Sequence, residues 1–178
     1  MVHLKNRYGF SLVELMTVMT IVGIMGAIAL PSYISQMPQR RLKAATRDLY
    51  GAMQQTRVLA IRNNRSVILR LGADSYYIDE DDSDTYSSDE RRVDLSEYHD
   101  VRFSSSATAG TPGGWAVNNG GSIPSQLTFT PAGTITFDAN GFNSVYFENI
   151  NGSSETFAVI AMASGAIKIN WNYGDGWE

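Results

Sequence analysis

From Phe10 to Leu30 the chain runs for 21 residues with Glu14 as its only charge, and no further charge appears until Arg40. That length is close to the roughly 20 residues a helix needs to cross a hydrocarbon core. The segment therefore sets the first constraint on the fold: its amino-terminal part is a helix that seeks an apolar medium. Lys5 and Arg7 stand just before it and place the amino terminus on the cytoplasmic side by the positive-inside tendency. Arg40, Arg41 and Lys43 on the far side weaken that asymmetry.

Three readings compete for this segment. A cleavable signal peptide is one, with Ala27-Ile28-Ala29 as a small-x-small cutting site. Its apolar region, however, exceeds the usual 7–15 residues and holds an internal carboxylate. An ordinary anchor fits the length but leaves Glu14 unexplained. A carboxylate at the bilayer centre costs roughly 2.5–3.5 kcal/mol on insertion scales, less near an edge, so such residues persist where something pairs with them.

The third reading supplies the partner. Gly9-Phe10-Ser11-Leu12-Val13-Glu14, with the apolar helix behind it, resembles the processing site of type IV prepilins. The resemblance implies a leader over 1–9 and a cut between Gly9 and Phe10 by a membrane prepilin peptidase. It also implies N-methylation of Phe10 by the same enzyme. Glu14, fifth in the mature chain, would pair with the terminal amine of a neighbouring subunit. The physics is coherent, because a new cation and a lone carboxylate neutralise each other where either alone is expensive. Pro31 stands where a helix of this family often carries a proline.

Pro31 and Pro38 bracket a weak stretch, since proline removes a backbone donor and crowds the preceding turn. Read from the residues alone, the helix stops at Pro31. The resemblance implies instead a kink or locally melted segment there. Gly23 and Gly26 permit close helix approach, although their spacing of three is not a GxxxG pair.

Beyond the anchor the charge is unevenly spread. Between Arg40 and Arg65 seven basic residues stand against Asp48 alone, whereas Ser66–Glu178 carries five basic and sixteen acidic side chains. A basic neck and an acidic body can attract each other between copies, or both can be solvated faces. Gln39 to Asn63 predicts an amphipathic helix: Leu42, Ala45, Leu49, Ala52 or Met53, and Leu59 or Ala60 recur at three- and four-residue steps. Gly51 costs that helix ~1 kcal/mol relative to alanine, and Asn63-Asn64 offers a stop.

The remainder reads as strands. They are expected at 66–71, 76–78, 100–103, 127–130, 134–137, 144–148, 157–161 and 166–171. Turns fall at Pro131-Ala132-Gly133, Asp138-Ala139-Asn140-Gly141, Asn151-Gly152 and Ser164-Gly165. The fold class is α+β, a long amino-terminal helix packed on an antiparallel sheet. The expected organisation is a leader over 1–9, a transmembrane and assembly helix over 10–38, and a periplasmic head over 39–178. The head comprises the helix 39–63 and a β-rich domain 66–178. The strings at 135–141 and 157–171, with Ser164-Gly165-Ala166-Ile167, resemble minor pilins and minor pseudopilins of the GspH/FimT type. The acidic body and the long glycine- and serine-rich span 104–126 depart from that pattern.

Three classes of function follow. The resemblance implies a structural subunit near the tip of a type IV pilus or a type II secretion pseudopilus, in the bacterial inner membrane. Its partners would be other pilin or pseudopilin subunits. The alternative is a DNA-binding minor pilin for DNA uptake, but nucleic acid draws on lysine and arginine, and the body is acidic. Trp171, Tyr173 and Trp177 offer stacking platforms, with packing as their commoner use. An enzyme is disfavoured. The chain has no cysteine, only His3 and His99 as histidines, and no phosphate loop. Glu148 and Glu155 are the nearest thing to a carboxylate pair. No cofactor is expected. Calcium at 79–90, with seven acids in twelve residues, competes with a solvated surface loop, and the EF-hand spacing is missing.

Overall fold

In the computed structural model, residues 9–104, 123–138, 141, 143–151 and 155–172 are described. Residues 1–8 of the expected leader, most of the 104–126 span, Tyr173 and Trp177 lie outside them, as do parts of the turns at 138–141 and 151–152. The chain divides into two units, Met1–Met37 and Pro38–Glu178.

The first unit holds α1, Leu12–Ser35, in which no residue is buried. Pro31 lies inside α1, and the helix continues for another turn past it. A stop at Pro31 is thus not what the chain adopts. The interruption falls at Gln36, whose N–H reaches back to Tyr33 O at 3.3 Å. Its cause is Pro38, which has no N–H to offer the carbonyl of Ile34 and sits harmlessly in the first turn of the next helix.

All but the first residue of α2, Met37–Asn63, belongs to the second unit. Its buried face is Leu42, Ala45, Thr46, Leu49, Ala52, Met53, Thr56, Leu59 and Ala60, the expected stripe with two threonines added. Both threonines return their hydroxyls to the helix, Thr46 to Leu42 O at 2.8 Å and Thr56 to Ala52 O at 2.7 Å, so burial leaves no orphan donor. The helix ends on Asn64 at φ 48°, with Arg65 N–H bonded to Ala60 O, the six-to-one bond of a left-handed cap.

Nine strands follow: β1 Val67–Leu71, β2 Ser75–Asp79, β3 Arg92–Asp94, β4 Val101–Phe103, β5 Gln126–Phe129, β6 Ile135–Phe137, β7 Ser144–Asn149, β8 Thr156–Ala161 and β9 Ile167–Asn172. A short 3-10 turn, Leu95–Tyr98, sits between β3 and β4. The strands form two antiparallel sheets where one was expected, ordered β3-β2-β1-β5-β6 and β4-β7-β8-β9. In the first sheet Leu69 stands between Ile78 and Leu127. In the second, Phe103 faces Phe147 with ring centroids 5.1 Å apart. Both sheets and the stripe of α2 share one core, which includes Leu49, Met53, Leu69, Phe129, Phe147 and Phe157.

Two turns lock against each other beneath α2. Gly133, between β5 and β6, has φ 75°, and Gly165, between β8 and β9, has φ 88°, values that favour glycine. A side chain at Gly165 would collide with the carbonyl oxygen of Gly133. The Ser164-Gly165 motif therefore marks a point where two backbones touch.

Candidate functional site

The amino-terminal segment enters α1 in extended conformation, with Ser11 at φ −74° and ψ 145° in the capping position. Leu15 N–H bonds to Ser11 O at 3.1 Å and closes the first turn. Phe10 is 84% exposed. Glu14 lies in that first turn, where a carboxylate is favoured by the unpaired N–H groups of the helix start. Among the described residues Glu14 has no hydrogen-bond or ion-pair partner. Gly9, Phe10 and Glu14 thus share one short, open stretch, and Pro31 lies about 26 Å further along the axis by the rise of an α-helix.

Every large apolar side chain of α1 points outward, from Leu12 and Val13 to Leu30 and Ile34. The helix has 24 residues and a mean hydropathy of 2.1 over its most apolar window, long and apolar enough to cross a bilayer. Its hydroxyls are already satisfied within it: Thr17 donates to Val13 O and Thr20 to Met16 O, both at 2.8 Å. Sequence reasoning passed over these threonines, though i−4 back-bonding in an apolar helix follows from spacing alone.

The acidic run turned out to be a folded loop. Arg70, the one cation in the apolar run of β1, reaches Asp79, Asp82 and Asp84, and also donates to Gln126 at 3.0 Å. Asp79 is fully buried. Burial works against its carboxylate, but the Arg70 guanidinium and the Ser83 N–H outweigh it and hold its pKa below the usual range. Asp79, Asp81 and Glu90 also converge. Their oxygens serve the loop itself: Asp79 and Asp81 accept from Ser83 N–H, and Glu90 accepts from Glu80 N–H and Ser87 N–H. A cation in the midst of Val67–Leu71, just ahead of seven acids, was the signal in the sequence that something had to be neutralised.

Asp48 on α2 accepts from the Tyr76 hydroxyl and from Arg91, both at 2.7 Å, which ties β2 and the end of the acidic loop to the helix. Burial, reinforced by the Asp48 bond, pushes the Tyr76 phenol well up. The carboxylates of Glu148 and Glu155 do not form a pair. Glu148 accepts from Arg102 at 2.8 Å and Ser104 at 2.6 Å, and Glu155 from Gln39 at 3.2 Å. Trp171 lines a hollow of about 200 Å³ together with Lys43, Thr46, Arg47, Phe157 and Ile169.

Residues 4–30 match the model of the prokaryotic N-terminal methylation motif. That motif lies on an apolar helix ahead of a helix-and-antiparallel-sheet head. The same architecture occurs in the crystal structure of the type IV minor pilin FimU of Pseudomonas aeruginosa strain PAO1. The two superpose with a TM-score of 0.51 at 15% sequence identity, over 74% of this chain and 89% of that one. No curated protein matches the sequence significantly.

Proposed function

We propose that the chain is a minor pilin or pseudopilin, a structural subunit cut between Gly9 and Phe10, N-methylated at Phe10 and assembled near the tip of a pilus or pseudopilus. The observation that carries this reading is α1: a motif-bearing helix with no buried residue and a single, unpartnered carboxylate. A helix so apolar must be covered by something outside the chain, lipid first and then the helices of other subunits. Glu14 gives that second environment its register, by pairing with the terminal amine that cleavage creates on a neighbouring subunit. In this reading the helix spans the inner membrane, the head lies in the periplasm, and Pro31 lets the helix adjust when packed.

Intact-mass analysis with amino-terminal sequencing of chain recovered from membranes and sheared surface material tests the processing. A mature chain starting at Phe10 and heavier by one methyl group is expected; a start at Leu30 would replace the filament reading with a secreted domain. For the pairing, Glu14→Gln and Glu14→Ala should be processed normally yet enter filaments at least tenfold less than wild type. Wild-type incorporation of either would remove Glu14 from assembly.

A further inference from the structure

The last two turns of α2 carry a surface that the core does not use. Val58 and Ile61 point away from the core and are 59% and 50% exposed. Arg57, Arg62 and Arg65 surround them. Among the described residues Arg41, Arg70, Arg91 and Arg102 are ion-paired, whereas none of these three is. Arg62 reaches only its neighbour Asn63. The Arg57 guanidinium lies along the turn at Gly133, and its buried Nε has no acceptor. Cations at a helix C-terminus gain from the last carbonyls. That gain explains Arg62 and Arg65, but not two bare aliphatic side chains or an orphaned Nε.

The complementary surface is on the same chain. The acidic loop joins β2 to β3, and β3 is one edge of the five-stranded sheet. Asp81, Asp82, Asp84 and Asp89 are exposed on it, held in shape by Arg70. The basic patch lies beside the β5–β6 turn, and β6 is the opposite edge of that sheet. Resting on the filament reading above, we infer that the Arg57–Arg65 face of one copy docks on the acidic loop of a second copy. Val58 and Ile61 supply the dry centre and the three arginines the charged rim. Because the two surfaces sit on opposite edges, the contact is head-to-tail. Such a contact leaves a free copy of each surface at either end and propagates unless rotation closes it. Charge complementarity sets its register and excludes like-facing pairs.

The chain has no cysteine, so introduced thiols report without background. Two differently tagged full-length copies, one with Ile61→Cys and the other with Ser88→Cys, are co-expressed and treated in membranes with a short bis-maleimide. The mixed pair should cross-link at least tenfold more than either variant with itself. Arg57→Glu, Arg62→Glu and Arg65→Glu on the first copy should remove that product without lowering its melting temperature in detergent. Asp81→Lys and Asp89→Lys on the second copy should restore it. No mixed product, or no restoration by the charge swap, overturns the docking. So does a triple variant that loses retention of duplex DNA while the mixed pair never cross-links, since the patch would then serve a nucleic acid. A processed, filament-borne chain without the cross-link sinks the docking alone. A cross-link in chain that never enters a filament sinks the filament reading alone.

Discussion

α1 and α2 are neighbours in sequence, separated by Gln36 alone, and differ in almost everything else. α1 has no buried residue, while α2 has nine. The apolar residues of α1 go all round the helix; those of α2, Val58 and Ile61 aside, keep to a stripe. A helix apolar on every side has its partner outside the chain, and a striped one has its partner inside. The comparison separates two parts of the molecule, since α2 and the sheets hold the fold while α1 contributes no buried residue to it.

That division can be broken by mutation. Leu49→Ala, in the centre of the α2 stripe, should cost about 2–5 kcal/mol, read as a lower melting temperature of the detergent-solubilised chain. Gly165→Ala, at the touching turns, should cost about 1–3 kcal/mol or more from a forced left-handed residue and a backbone collision, measured in the same way. Leu15→Ala in α1 should leave the melt within about 0.5 kcal/mol, as for substitutions away from any packed feature. A large loss from Leu15→Ala would mean that the head leans on α1 and the division is false.

Acid sharpens it further. The depressed pKa of Asp79 means that its stabilising contribution is full above the unfolded value near 3.8 and is lost as pH falls through the lower folded value. The wild-type melting temperature should therefore fall as pH drops below about 4. Arg70→Met should melt lower at neutral pH and show a flatter acid slope. Equal slopes would show that the Arg70 cluster is not what holds the loop.

Much of this was legible in the residues. The strands centred on Ile68, Val145 and Val159 announce themselves by β-branched and aromatic runs between turns, and the α2 stripe by its period. β3 was missed because it is three residues long at an edge, with Val93 as its only buried side chain. The split into two sheets could not be read, since apolar alternation is the same whichever sheet a strand joins. The N-terminal methylation motif was plain because it is local. The neutralisation of the acidic run by Arg70 was not, for it depends on β1 and β2 pairing so that Ile68 faces Asp79. Pro31 misled in part: one missing donor inside a long apolar helix is a smaller loss than ending the helix.

The threonines of α1 have a last consequence. With Thr17 and Thr20 bonded to carbonyls of their own helix, α1 presents almost no polar group that asks anything of its surroundings. Exchanging a lipid solvent for a proteinaceous one then breaks no hydrogen bond and trades only dispersion contacts of similar strength. Such a transfer lies near thermal neutrality and can run in either direction, so on the filament reading proposed above extraction and re-insertion are both cheap. On the filament reading proposed above, the direction is left to the single carboxylate at its entrance, Glu14.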